Sequence, residues 1–286
     1  MADETLLDKI HDLSDLELAA LICLVAQEHC IIDTDPSVLD DLVQELELVA
    51  AKAFGLTHAV IDCSEHTTLD DFANAIINVD DGSSRSSSPI RTRQDYFMHS
   101  PAFKSAHSTA PEVNLDNKRM ANVLIAKNLD EAPRQVQIQA LELIRTKRIF
   151  TRTSVQLAPK RFLFIALLAG GEGPRLIKHL NDRIFISHFH DPENGFANLE
   201  DVYGKDDADS ISSVVKRTPS HEPEDLSDPR ITESDVAQLT KLSNEAKVSV
   251  EVKQYQMNII SFLRLHRAVS HGISAIGTQH FDALTK

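Results

Sequence analysis

The sequence predicts a three-layer α/β domain with a largely parallel sheet, followed by a helical tail. Five short apolar runs of strand length alternate with amphipathic helical patterns, and that order favours parallel strands joined by crossover helices. The runs are apolar nearly throughout, as strands covered on both faces are. The last third of the chain, by contrast, carries only helical periodicity.

Along the chain, Ser14 and Glu17 form a capping-box pattern ahead of the apolar segment Leu18 to Val25, which marks a first helix. His29 to Asp33 is the first strand candidate. Asp35 and Pro36 supply an N-cap and a first-turn proline for a helix carrying Val38, Leu42, Leu46, Val49 and Ala53, which stops at Gly55. Ala59 to Cys63 is the second strand, and Thr68 to Ile77 a short helix with Thr68 and Asp71 at capping spacing.

The third strand is Val123 to Ala126. Its helix starts near Pro133 and places Val136, Ala140, Leu143 and Ile144 on one face. Val155 to Pro159 reads as a connector and Arg161 to Leu168 as the fourth strand. Gly170, Gly171 and Gly173 follow as a turn, since no lysine or helical pattern gives them the setting of a nucleotide loop. The fifth strand lies in Leu180 to Ile186 and runs on to His190. His188 and His190 share a strand face and could hold a metal, but two ligands without an evident third favour an ordinary histidine pair.

Two stretches break the pattern. Residues 80–118 are rich in Ser and nearly without periodicity, which predicts a disordered insertion; serines beside Arg85, Arg91 and Arg93 are candidate phosphorylation sites. Residues 198–230 are polar and acidic and read as a linker. The expected organisation is thus a core over 1–197, the linker, and a helical unit over 231–286. In that unit Thr232 to Lys247 forms one helix, capped by Thr232 and Asp235. Val252 to His271 forms a second, with Tyr255, Ile259, Phe262, Leu263 and His266 on an apolar face. Ser274 caps a third.

Composition narrows the functional classes. A chain of 286 residues with 42% apolar content can bury a substantial core. A net charge of −14 disfavours general binding to nucleic acid or anionic membrane, and no apolar run is long enough to span a bilayer. Cys23, Cys30 and Cys63 lack metal-ligand or redox spacing and read as small core residues, which points to the cytoplasm or nucleus.

The stretch Asn122 to Phe150 carries a resemblance. A buried strand, then Ala132-Pro133, Val136-Gln137 and Leu141-Glu142, resembles the Walker B region of AAA+ ATPases of the MoxR and magnesium-chelatase I-subunit type, and within them fungal magnesium-chelatase-like proteins. The resemblance implies a sheet order of 5-1-4-3-2, a small helical lid, and protein partners in a ring or mixed oligomer; with the charge against them, no nucleic acid and no membrane are expected as partners. At four of the five places where that family handles nucleotide, this sequence departs from it. Lys127 and Asn128 stand where the magnesium-binding Asp and the water-activating Glu are expected. Thr34 to Asp41, which includes Ser37, takes the place of the phosphate loop, with Thr34 and Leu39 for its glycines, Asp40 for its lysine and Asp41 for its hydroxyl residue. An ordinary acidic helix start accounts for these carboxylates. Ala166 to Ala169 lacks the polar sensor, and in Gly272-x-Ser274 the lid arginine is replaced by Ile276. The lid reads as truncated. Only Asp182-Arg183 is retained, at the position of an arginine finger that acts on a neighbour's nucleotide.

Two functions follow. The first is a pseudo-ATPase, an AAA+-shaped interaction or scaffold protein needing no cofactor. The second is an active ATP-driven subunit using Mg-ATP, with Asp130 or Glu131 standing in for the lost acidic pair.

Overall fold

The computed structural model describes residues 2–77, 119–151, 154–170, 175–202, 229–269 and 273–286. The Ser-rich insertion, Gly171 and Gly173 of the glycine turn, Gly272 and most of the acidic linker lie outside these residues.

Five parallel strands build the sheet: β1 (Cys30–Thr34), β2 (His58–Asp62), β3 (Val123–Lys127), β6 (Leu163–Ala169) and β7 (Ile186–Phe189). They lie side by side as β7-β1-β6-β3-β2, so numbered by their order in the chain they run 5-1-4-3-2. The two intervening strands, β4 (Arg148–Phe150) and β5 (Val155–Leu157), form a separate antiparallel hairpin. The expected connector at Val155 is therefore the second arm of that hairpin. Ile149 faces inward, while Phe150, Val155 and Leu157 are exposed. Too short for a clear alternation, this ribbon leaves little trace in the sequence.

Side-chain alternation sorts the sheet into two cores. Ile31, Ile61, Leu124, Ala126, Phe164 and Ala166 pack on one side with α4 (Leu69–Ile77) and α5 (Arg134–Thr146), through Phe72, Ile76, Val136 and Leu143. Cys30, Ile32, Val123, Ile125, Ile165 and Leu167 pack on the other with α2 (Asp15–Ala26) and α3 (Leu39–Leu48), through Cys23, Leu42 and Leu46. β6, flanked by β1 and β3, is buried over its first six residues. The layers thus follow from strand registers that send successive residues to opposite cores.

Helix boundaries have local causes. α1 (Ala2–His11) precedes α2, whose start carries the full capping box of Ser14 and Glu17. α4 begins with reciprocal bonds between Thr68 and Asp71. α3 continues into a π-turn, Val49–Ala53, and the chain leaves it through Gly55 at φ +61°, where a side chain would be strained and would also crowd Pro229. Asp35 has N-cap backbone geometry but makes no side-chain cap bond.

A buried polar knot ties later segments to this body. Residues 197–202 are helical. The Glu45 carboxylate accepts from the Asn198 N–H at 3.1 Å, the Asn198 amide at 2.9 Å and the Leu199 N–H at 2.9 Å. Glu17 accepts from the Asn198 amide and from Arg230, both at 3.1 Å. Glu17, Glu45 and Asn198 are each at most 1% exposed, so core packing continues past residue 197.

The tail comprises α7 (Glu233–Glu245), α8 (Val250–Leu265) and α9 (Ala275–Leu284), after the short α6 (Lys178–Asn181) of the body. α7 has the expected capping box of Thr232 and Asp235 and packs on α2; Ser274 caps α9. α8 departs from expectation. Its inward residues are Gln256 and Ile260, whereas Tyr255 is 68% and Phe262 77% exposed. The apolar face read from the sequence exists, but it looks outward. No helix among the described residues is long and apolar enough to cross a membrane.

Candidate functional site

In a doubly wound sheet, loops at the carboxyl ends of the strands converge, and there ligand chemistry concentrates. Here those ends bring together Asp33 and Thr34 from β1, Asp62 from β2, Lys127 from β3 with Asn128 just after it, and Gly170 after β6. The backbone closes tightly around Thr34. Gly170 N–H donates to Thr34 O at 2.6 Å, the Thr34 hydroxyl to His190 O at 3.0 Å, and His190 N–H to Asp33 O at 2.8 Å. A Cβ on Gly170 would lie 3.2 Å from Thr34 O, which explains glycine there.

One residue, Asp35, separates β1 from the 3-10 turn Pro36–Val38, and α3 starts at Leu39. Thr34 to Asp41 is therefore not an open loop: Ser37 lies in the 3-10 turn, and Leu39, Asp40 and Asp41 already belong to the helix. A phosphate cradle is made of consecutive backbone N–H groups around an anion. This connection offers little room for one, and Pro36 has no N–H to give.

Two ion networks occupy the strand ends. The Lys127 ammonium sits 2.6 Å from Asp40 Oδ1 and 3.3 Å from Asp62 Oδ2. Burial alone would lower its pKa, but its bonds to Asp40 and Asp62 outweigh that and raise it. Asn128, next in the chain, is held in the left-handed region at φ +52°, where asparagine is tolerated. Its N–H donates to Leu167 O at 2.8 Å and its amide reaches Asp62 at 3.4 Å. In the second network Arg175 bonds Asp130 Oδ2 through Nε at 2.8 Å and Nη2 at 2.5 Å, and Asp33 through Nη1 at 3.2 Å. Asp130 Oδ1 stays buried without a partner. Burial pushes the Asp33 pKa up, Arg175 opposes that, and Asp130 adds to it.

Four carboxylates thus share two cations. The local charge stays negative, and each cation already has its partners. Arg175 carried no sequence signal, lying outside any recognisable motif after the glycine turn. Ala166 to Ala169 presents no polar side chain, and its first three residues are buried. Cys63, just past β2, is buried, and burial pushes its thiol up to about 12, with Asp62 and Asp130 adding to the effect. Beside this edge a concavity of about 360 Å³ is lined by Asp62, Ser64, His66, Thr67 and Asp71.

The remaining candidates lie elsewhere. Arg183 follows α6 in the turn before β7, at the amino ends of the strands, where Phe185 N–H donates to His29 O at 2.8 Å. It lies near Glu28 and is not brought into the carboxyl-end cluster. Glu131 is not drawn into either ion network. His190 is 4% exposed and stacks on Phe196 at 5.0 Å; burial, then His188, lowers its pKa. Among the described residues no group of three or more His, Cys, Asp or Glu is placed to hold a metal.

No family profile and no curated protein sequence matches the chain. Solved structures do match. A protein of Cytophaga hutchinsonii, described as a "putative ATPase", aligns over 99% of this chain and 80% of its own, with a TM-score of 0.57 at 13% identity. At that identity the likeness establishes the fold alone: an α/β architecture shared with a protein described as an ATPase.

Proposed function

We propose that the chain is a pseudo-ATPase: an interaction or scaffold protein of AAA+ shape, related to magnesium-chelatase I-subunit and MoxR proteins, whose nucleotide site is closed by its own side chains. The observation that carries this reading is the 2.6 Å contact between Lys127 and Asp40. Aligned on the family resemblance, these positions hold an acid on the third strand and a lysine at the start of the helix after the first. Here the charges are exchanged and still paired. An ammonium takes the place suited to a metal cation, and a carboxylate the place suited to a phosphate-binding lysine. Stabilising a migrating phosphoryl group needs positive charge at the helix start, and this arrangement puts negative charge there.

The test is calorimetric titration of the full chain with Mg-ATP, with phosphate release followed in parallel. Absence of binding at millimolar nucleotide is the expected result. Micromolar binding would sink the proposal. The place of Arg183 at the far end of the sheet favours a second reading, in which it serves a neighbouring subunit's nucleotide in a mixed ring. That reading requires hydrolysis by an assembled ring that is lost on Arg183→Ala.

A further inference from the structure

On α8, Val252, Tyr255, Ile259, Phe262 and Leu263 fall within about 100° of one another around the axis, the width of a core-facing stripe. Yet Val252 is 42%, Tyr255 68%, Phe262 77% and Leu263 41% exposed. The neighbouring face is already used. Lys253 pairs with Asp282 at 3.6 Å, Gln256 hydrogen-bonds Thr285, and Arg264 donates to Ile273 O at 3.1 Å and Thr278 at 2.9 Å, so α9 holds α8 by that side. Among the described residues the stripe is left without a partner.

We infer that this stripe is where a second copy of the chain docks, through antiparallel pairing of the two α8 helices. Three features select that occupant. Val252, Tyr255, Ile259 and Phe262 are spaced 3-4-3, the spacing at which one helix inserts its side chains between those of another. These four are also symmetric about Met257, whereas Leu263, whose mate across that position is Glu251, lies outside the symmetry. A two-fold axis at Met257 sets Val252 of one copy against Phe262 of the other, and Tyr255 against Ile259, so the surface complements itself. Finally, the exposed apolar area of the stripe is on the order of 500 Å², near the top of the roughly 300–600 Å² found as the largest patch on a monomer. A standard interface takes about 800 Å² from each partner, so the stripe would supply over half of that share.

No charge lies within the stripe, whereas the whole chain carries −14. Two copies therefore repel at long range while their contact is apolar. Salt screens the repulsion and leaves the contact intact, so association strengthens with ionic strength, opposite to a docking driven by an oppositely charged partner. Nothing in this pairing depends on whether the strand-end site takes nucleotide.

The experiment is sedimentation equilibrium of the full chain, without nucleotide, at tens of micromolar, with circular dichroism to verify helix content. A dimer is expected, tighter at about 500 mM than at about 50 mM salt. Phe262→Asp, on the stripe, should weaken it at least about tenfold. Leu265→Asp, 87% exposed but off the stripe, should leave it unchanged. In a mixture, Tyr255→Cys and Ile259→Cys chains should cross-link to each other faster than either does alone. A wild-type chain monomeric at about 100 μM would overturn the proposal, whatever else covers the stripe. So would equal dissociation by both Asp variants, or faster cross-linking of a single variant with itself, which marks a parallel pair.

Discussion

Phe164 in β6 and Phe262 in α8 sit in equally convincing apolar patterns. The first is fully buried and the second 77% exposed. The difference lies in what each element is given to pack against. β6 is flanked by strands on both edges and covered by helices on both faces, so its side chains have no route to water. Among the described residues α8 packs on α9 along one side, and its apolar stripe is largely exposed. Periodicity reports that a face is apolar. Whether it is covered depends on how many layers the chain supplies at that point, and the described helices of the tail are too few to cover both sides of α8.

That contrast is broken most directly by deleting the buried ring. Phe164→Ala should cost about 3–5 kcal/mol in chemical denaturation, through lost burial and the cavity left in the middle of the sheet. A cost below about 1 kcal/mol would mean that the sheet repacks freely and is no better filled than the tail.

His29, just before β1, sharpens the same point with pH. It is buried between Phe162 and Phe164, its Nδ1 accepting from Phe164 N–H at 3.1 Å, and burial, then Lys147, lowers its pKa to about 3. An unfolded histidine titrates near 6.5, so between roughly pH 6.5 and 3 the unfolded chain binds the extra proton. The sign follows: the native state keeps this contribution above about pH 6.5 and loses it as pH falls toward 3, by on the order of a few kcal/mol in all. The difference in unfolding free energy between wild type and His29→Asn should shrink over that window. A difference independent of pH would show that His29 is charged or solvated in the native state.

At the strand ends the expected effect is smaller. Lys127→Met should change stability by less than about 1 kcal/mol, because Asp40 and Asp62 are 81% and 63% exposed and water screens both pairs. A loss of several kcal/mol would mean that the network holds the sheet together, and would remove the reason to see it as the remnant of a ligand site.

Much of the frame was legible because it rests on local rules. Strand and helix order, the Ser14 and Thr232 capping boxes, and the buried cysteines each follow from a few neighbouring residues. The hairpin at Val155 was not legible, since three-residue strands leave no period. The knot of Glu17, Glu45, Asn198 and Arg230 joins residues up to 213 positions apart, and each alone reads as a surface polar residue. At the strand ends, Lys127 and Asp40 were marked by resemblance, but nothing announced that they touch, or that Arg175 joins Asp33 to Asp130.

The smallest expected effect is the most telling for the tail. Phe262→Ala removes an aromatic ring from an apolar pattern, which in the sheet is among the costliest changes. In a dilute, monomeric chain it should shift unfolding by no more than about 0.5 kcal/mol, because a side chain already in water has little burial to lose. At concentrations where two copies pair, the same substitution should lower the melting temperature and remove its dependence on protein concentration. A residue that is silent in the monomer and costly in the assembly is serving a surface. If Phe262→Ala instead destabilises the dilute chain by about 3 kcal/mol, the ring is buried within its own chain, and α8 belongs with the sheet on the covered side of the comparison.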